Sequence, residues 1–195
     1  MDFKQSLETS RIVPAVQHSD DLAEALNIPW ISVVFLLGGD IDRLEQALKI
    51  AEKYPGKYVL AHIDLLEGVG KDAAGIRFLR KIGLKGIVSV KSQLLQYAKE
   101  NNMLTVQRLF LVDSAAIRTG LKVIKKVTPD AIEILPATVP QFAIEEFRKV
   151  TNLSILGGGL LRTEEDVRTA LKNGLTAVTA SRRNIWNMRL TEKKF

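Results

Sequence analysis

The stretch ISVVFLLGGDIDRLEQALKIAEKY, residues 31–54, joins the two kinds of segment from which the whole chain is built. Its first nine residues are almost wholly apolar, as a β-strand buried on both faces must be. The remainder has apolar residues at helical spacing, and Asp40 stands where a helix N-cap is expected. Because a helix returns the chain to the start of the next strand, this pattern predicts one unit of a parallel α/β fold.

Seven further units of the same kind fill the rest of the sequence, each of roughly 20 to 27 residues. Helix N-caps are expected at Ser19 or Asp20 in the first unit and at Asp113 or Ser114 in the fifth. The strands of these seven units are predicted at residues 11–16, 57–64, 86–90, 103–110, 131–137, 154–160 and 177–182.

Eight strand-and-helix units predict a closed barrel rather than an open sheet. The competing doubly wound sheet usually has a glycine-rich turn after its first strand, whereas here Gln17, His18 and Ser19 follow that strand. No linker or low-complexity segment divides the sequence. We therefore predict the α/β class, with a single small (β/α)₈ TIM barrel over residues 1–195 and its ligand site at the C-terminal ends of the strands.

Composition limits the possible functions. With 46% apolar and 26% charged residues, the chain of 195 residues is typical of one globular domain. It has no cysteine, which excludes disulfides, thiolate metal sites and a cysteine nucleophile. The N-terminus lacks the pattern of a signal peptide, and no charge-free run reaches about 18 apolar residues, so we expect a cytoplasmic protein with no membrane partner.

The net charge is positive, +6, with an isoelectric point near 9.5. Such a balance favours phosphorylated ligands or nucleic acid, although a solvated surface is the simpler explanation. The C-terminal stretch stands out as basic and is our predicted RNA contact, through Arg182, Arg183 and Arg189; Lys193 and Lys194 follow them.

Two neighbouring loops are predicted to hold a phosphate group. Gly157, Gly158 and Gly159 end the seventh strand, and glycines let backbone N–H groups approach an anion closely. The eighth strand ends in the sequence Thr179, Ala180, Ser181, which adds hydroxyl groups beside the first loop. The alternative is a tight turn with hydroxyl groups that only cap helices.

Polar residues near the ends of other strands would complete the pocket. His62 and Asp64 are two apart in a predicted strand, so both should project to one face. Arg108 and Glu133 interrupt apolar strands, where an unpaired charge would be costly. They either form an ion pair with each other or bind a ligand, with Glu133 accepting hydrogen bonds from a polyol. Lys91, after the fourth strand, is a further candidate for attracting phosphate.

Several segments in this order resemble the glycerol-3-phosphate-responsive antiterminator family, regulators of glycerol uptake operons. The resemblance covers nearly the whole chain. The segments that carry it are HIDLLEGVGKD (62–72), QRLFLVDSAA (107–116), IEILPATVP (132–140), GGLLRTEEDV (158–167) and AVTASRRNIW (177–186).

The resemblance implies a regulator that binds glycerol 3-phosphate and then an mRNA leader. The sequence itself has no cluster of metal-ligating residues, and we expect no cofactor or metal. It gives a ligand role to Asp64, Arg108, Glu133, the pair Gly158–Gly159, and Ser181. Gly157 departs from the alanine common at that position in the family. The alternative from the residues alone is an isomerase or aldolase acting on a sugar or polyol phosphate, with Glu133 or Asp64 as general base. Neither the oligomeric state nor the RNA target follows from the sequence.

Overall fold

Eight parallel strands close into a barrel in the computed structural model of the chain, which describes residues 1–190. Each strand pairs with the next in sequence, and the eighth pairs with the first. This confirms the predicted (β/α)₈ barrel. The strands are β1 (Ile12–Val16), β2 (Val33–Leu36), β3 (Tyr58–His62), β4 (Gly86–Ser89), β5 (Leu104–Phe110), β6 (Ala131–Leu135), β7 (Ser154–Gly158) and β8 (Ala177–Ala180).

Helices surround the barrel, and those after the first follow the strands in turn. Side chains cap the N-termini of five helices, because Asp2, Asp40, Asp72, Asp113 and Thr163 each accept a backbone N–H from the first turn. The helices are α1 (Phe3–Ser10), α2 (Ser19–Asn27), α3 (Ile41–Ala51), α4 (Ala73–Lys81), α5 (Ser92–Glu100), α6 (Ser114–Val127), α7 (Gln141–Arg148), α8 (Glu164–Lys172) and α9 (Arg183–Trp186).

Three local predictions were wrong. Neither Ser19 nor Asp20 caps α2, since the helix already begins at Ser19 and the N-cap is His18, whose side chain makes no capping bond. Strand β2 is shorter than its apolar run, because the chain turns at Gly38 and Gly39, where φ is +95° and +101°. Helix α1 was not predicted at all.

Helix α1 closes the lower end of the barrel. Its Phe3 and Leu7 are buried in one cluster with inward-facing strand residues such as Leu60 and Val106. Strand side chains alternate between the two faces, so the positions two residues further along also face inward. In β3, β5, β6 and β8 these positions hold His62, Arg108, Glu133 and Thr179. The barrel therefore has an apolar lower interior and a polar upper mouth.

None of the helices within residues 1–190 combines the length and the apolar character that crossing a bilayer requires.

Candidate functional site

A buried carboxylate lies at the centre of the barrel mouth. Glu133 is fully buried, and its Oε2 accepts a hydrogen bond from Nε of Arg108 at 2.6 Å. Its Oε1 accepts a second bond from Oγ1 of Thr179, also at 2.6 Å. The first bond is local, because Arg108 and Glu133 are register partners on neighbouring strands. The second spans from β6 to β8, past the intervening strand β7.

Gly158 explains how a bond can pass that strand. It is the register partner of Thr179, and a Cβ atom built at Gly158 would collide with Oγ1 of Thr179 and lie 2.9 Å from Oε1 of Glu133. The glycine is therefore needed for the side-chain network itself. The sequence predicts that Gly158 makes room for a phosphate group, and the network is a second reason for a glycine at this position.

Arg108 presents unused donors to the mouth. Only its Nε bonds to Glu133, and among residues 1–190 neither terminal nitrogen of its guanidinium group has a hydrogen-bond partner. Both terminal nitrogens are donors, and guanidinium groups suit planar, two-point recognition of anions. The ion pair that we considered as an alternative is therefore present, yet it leaves most of the arginine free to bind a ligand.

A cavity of about 390 Å³ opens above this network. Three arginines and one carboxylate supply its charges, so it favours an anion. Its lining consists of Ala15, Leu37, Arg108, Glu133, Leu135, Gly159, Leu160, Leu161, Arg162, Thr179, Ala180, Ser181 and Arg182.

The loop after β7 has an unusual backbone. Gly159 and Leu160 both have positive φ, +77° and +61°, and such angles are uncommon for leucine. The loop is tied to the β6–α7 connection by the N–H of Ala137, which donates to the carbonyl of Gly158 at 2.7 Å. Within the described residues, the N–H groups of Gly159, Leu160 and Ser181 donate to no protein acceptor. They are the kind of free donors that anions bind.

The β3–β4 side of the mouth is different. His62 is buried, with its Nδ1 3.5 Å from Oδ2 of Asp64. Burial and the nearby Arg108 lower the pKa of His62 to about 4, although Asp64 opposes this, so the imidazole is neutral at pH 7. In the structure, Nδ1 of His62 and Oδ1 of Asp64 are both buried without a hydrogen-bond partner.

The prediction that His62 and Asp64 share one strand face was wrong. Strand β3 ends at His62, and Asp64 lies in a short 3₁₀ helix, Ile63–Leu65. The turn still brings the two side chains together, and Oδ2 of Asp64 accepts the backbone N–H of Val90 at 3.1 Å. Neither residue lines the cavity, and neither does Lys91, which is exposed at the start of α5.

The three C-terminal arginines do not share one environment. Arg182 lines the cavity, whereas Arg183 forms ion pairs with Asp21 and Glu24 of α2. Arg189 is exposed after α9. Their assignment to RNA stays a prediction. Lys193 and Lys194, which continue this basic stretch, lie outside the described residues.

The structure thus groups part of the predicted site and adds to it. Six predicted residues line the cavity: Arg108, Glu133, Gly159, Thr179, Ala180 and Ser181. Gly158 lies directly beneath it. The prediction missed Arg162, which could have been found from its position between the glycine loop and the N-cap Thr163. Among residues 1–190, no three His, Asp or Glu side chains are grouped as a metal site.

These features define a class: a (β/α)₈ barrel with a cationic cavity at the C-terminal ends of its strands, bordered by the glycine loop after β7. That class contains both enzymes and ligand-responsive proteins. Residues 12–186 match the family described as glycerol-3-phosphate responsive antiterminator. The chain belongs to this family, as the sequence segments had indicated.

Similar proteins agree with this membership. A glycerol uptake operon antiterminator regulatory protein from Listeria monocytogenes has a structure that matches with a TM-score of 0.82 at 33% identity, covering 91% of this chain and 95% of that one. A glycerol uptake operon antiterminator-related protein from Thermotoga maritima matches with a TM-score of 0.79 at 33% identity, covering 91% and 98%. The uncharacterized protein YgcP of Escherichia coli is 31% identical over 194 residues, covering 96% of this chain and 97% of that protein.

Proposed function

We propose that this protein binds glycerol 3-phosphate, or a closely related small phosphorylated polyol, in the cavity and acts as a transcription antiterminator on an operon leader RNA. The observation that carries the ligand proposal is the network of Arg108, Glu133 and Thr179 beneath the free N–H groups of the β7 and β8 loops. It combines acceptors for hydroxyl groups with donors for an anion in one small space.

The phosphate group belongs at the loop end of the cavity. The N–H groups of Gly159, Leu160 and Ser181 would bind its oxygens, and Arg162 and Arg182 would balance its charge. The polyol then extends over Glu133. Each oxygen of that carboxylate has a lone pair beyond the one used by Arg108 or Thr179, so it can accept a hydrogen bond from a ligand hydroxyl.

The enzyme alternative receives less support from the same geometry. A general base must lie within hydrogen-bond reach of the proton that it removes. The neutral His62 and its neighbour Asp64 do not line the cavity, and the carboxylate that does, Glu133, is already paired with Arg108 and hydrogen-bonded by Thr179. We therefore favour a binding site that reports ligand concentration, in agreement with the regulatory family.

A regulator also requires that the ligand change the affinity for a second partner. Ligand binding can shift RNA affinity only if RNA binds the free and liganded forms with different strength, and the effect is then reciprocal. The antiterminator proposal thus predicts that leader RNA raises the affinity for glycerol 3-phosphate by the same factor as the ligand raises that for RNA.

Isothermal titration calorimetry with glycerol 3-phosphate, inorganic phosphate and glycerol tests the ligand proposal. We expect glycerol 3-phosphate to bind more tightly than inorganic phosphate, with glycerol alone weakest, because only the first engages both ends of the cavity. Equal affinity for all three, or no binding, would remove the ligand proposal. Incubation with a set of sugar phosphates, followed by NMR for new products, tests the enzyme alternative.

A further inference from the structure

Positive charge is distributed very unevenly over the chain. Residues 71–127 contain 12 Lys and Arg against three Asp and Glu, a formal charge of +9. Residues 1–70 contain six against 11, a formal charge of −5. The formal charge of the segment that includes α4, α5 and α6 is therefore larger than the +6 of the whole protein, and larger than that of the basic C-terminal stretch.

The fold brings much of this charge onto one side of the barrel. Helix α4 contacts α5, and α5 contacts α6, so the three helices form a continuous outer surface. Seven exposed cations project from its two outer helices, and within residues 1–190 none of them is in an ion pair. We call these seven the basic face: Arg77, Arg80, Lys81, Arg118, Lys122, Lys125 and Lys126.

Helix α6 shows the arrangement most clearly. Arg118, Lys122 and Lys125 are spaced by four and three residues and so lie along one side of the helix. The opposite side is buried through residues such as Ile117 and Ile124. Like charges at this spacing destabilise a helix. Repulsion among these three cations, with no carboxylate beside them on the helix, therefore destabilises the folded protein slightly. A bound polyanion would remove this repulsion.

The helix dipole explains only part of the pattern. Cations in the last turn interact favourably with the dipole, which accounts for the C-terminal basic residues of α4 and α6. A dipole effect would also place acids in the first turn, as in α8, where Glu164, Glu165 and Asp166 stand. The first turns of α4, α5 and α6 contain no acidic residue, so the capping carboxylates of Asp72 and Asp113 are the only acids at the N-termini of these three helices.

We propose that the basic face binds the phosphate backbone of RNA. This rests on the proposed function, which supplies RNA as the partner, and it assigns the contact to α4 and α6 rather than to the C-terminal arginines. RNA fits better than an anionic membrane, because membrane-surface helices insert large apolar side chains. Neither α4 nor α6 has an exposed large apolar residue.

The basic face is also separate from the ligand cavity. None of its seven residues lines the cavity, and the helices lead away from the mouth along the outside of the barrel. A ligand-dependent switch needs two such distinct sites. Strand β5 contributes Arg108 to the cavity, and residues 111–113 connect it to α6. A short connection therefore links the ligand cavity to the basic face.

The test compares two variants with equal loss of charge. The first combines Arg118→Gln, Lys122→Gln, Lys125→Gln and Lys126→Gln. The control combines Lys4→Gln, Lys49→Gln, Lys53→Gln and Lys172→Gln, all exposed and outside the face. Binding is measured with a labelled transcript of the glycerol uptake operon leader from the source genome and with an unrelated transcript of equal length, at about 50 to 200 mM salt with saturating glycerol 3-phosphate.

The first variant should bind the leader at least about tenfold more weakly at low salt, and its slope of log affinity against log salt should fall by up to about 3, since each lost contact on single strands contributes about 0.7. The control should stay within about threefold of the wild type. Both should bind glycerol 3-phosphate normally, which shows that they are folded.

Equal RNA binding by the two variants would overturn the basic face while leaving the proposed function intact. Wild-type protein that binds glycerol 3-phosphate but neither transcript would refute the RNA role itself. Binding of the wild type to phosphatidylserine vesicles in place of RNA would transfer the basic face to a membrane partner and also overturn the proposal.

Discussion

The two halves of the barrel mouth differ in how their polar groups are satisfied. On the β5–β8 half, both oxygens of Glu133 are hydrogen-bonded, and the unused donors of Arg108 face an open cavity. On the β3–β4 half, His62 and Asp64 each have a buried atom without a hydrogen-bond partner, and neither residue lines the cavity. An arranged network beside open space is suited to a ligand. Buried polar atoms without a hydrogen-bond partner cost stability instead.

This contrast assigns different roles to residues that the sequence had grouped together. We expect changes in the β5–β8 half to alter ligand binding, and changes in the β3–β4 half to alter stability and its pH dependence. The following predictions test that division, beginning with the largest expected effect.

Gly158→Val should abolish detectable binding of glycerol 3-phosphate. The new side chain would occupy the space of Oγ1 of Thr179 and crowd Glu133, so the network could not form. The same crowding should lower the free energy of unfolding by roughly 3 to 5 kcal/mol. Calorimetry and urea unfolding measure the two effects.

Gly56→Ala is the matched control for that variant. Its added Cβ would meet nothing within 4 Å, although φ there is +88°. We expect a loss of only about 1 kcal/mol and unchanged binding. A folded Gly158→Val protein with wild-type affinity would remove the network from the site.

Glu133→Gln should weaken the binding of glycerol 3-phosphate by about tenfold and that of inorganic phosphate much less, because only the polyol has carbon-bound hydroxyl groups that donate hydrogen bonds to the carboxylate. It should also lower the unfolding free energy by roughly 2 to 4 kcal/mol, since Arg108 loses its buried counter-charge. If the ion pair is purely structural, the variant should lose stability, and its affinities for glycerol 3-phosphate and inorganic phosphate should be either unchanged or reduced by the same factor. Parallel calorimetric titrations distinguish these results.

Acid should destabilise the protein through the β3–β4 half of the mouth. The pKa of His62 is about 4 in the folded protein, below its usual 6.5, so the unfolded chain takes up a proton first as the pH falls. Stability from this group is therefore complete above pH 6.5 and is lost progressively toward pH 4, by about 2 to 3 kcal/mol at pH 4.5.

A His62→Gln variant isolates this effect, because other groups titrate equally in both proteins. The difference in urea midpoint between wild type and variant should change from pH 7 to pH 4.5 in favour of the variant. A difference independent of pH would mean that His62 is not held neutral.

Lys91→Gln should have the smallest effect. Lys91 is exposed and lies outside the cavity, so its charge can act on an anion only through solvent. We expect a two- to threefold loss of affinity, on the order of an exposed charge interaction, that disappears at high salt. A loss of affinity above tenfold would mean that the ligand lies close to Lys91, and it would contradict the division between the two halves.

The sequence predicted the barrel well because eight apolar strands with intervening helices allow few other folds. It predicted which strand residues carry charge, but not their pairing. That Glu133 bonds to Thr179 past β7 depends on register and on the missing side chain of Gly158, and neither is visible in local periodicity. The 3₁₀ turn at Asp64 and the helix α1 were missed for the opposite reason: both are short, and tertiary contacts determine them.

Amide NMR during a titration with glycerol 3-phosphate tests the central claim most directly, because it reports where the ligand binds. The account predicts saturable shifts at Gly158, Gly159 and Ser181 and at the Nε–H of Arg108, with Gly56 and Gly83 unaffected on the far loops. Shifts confined to the surroundings of His62 and Asp64, or to residues outside the mouth, would contradict it.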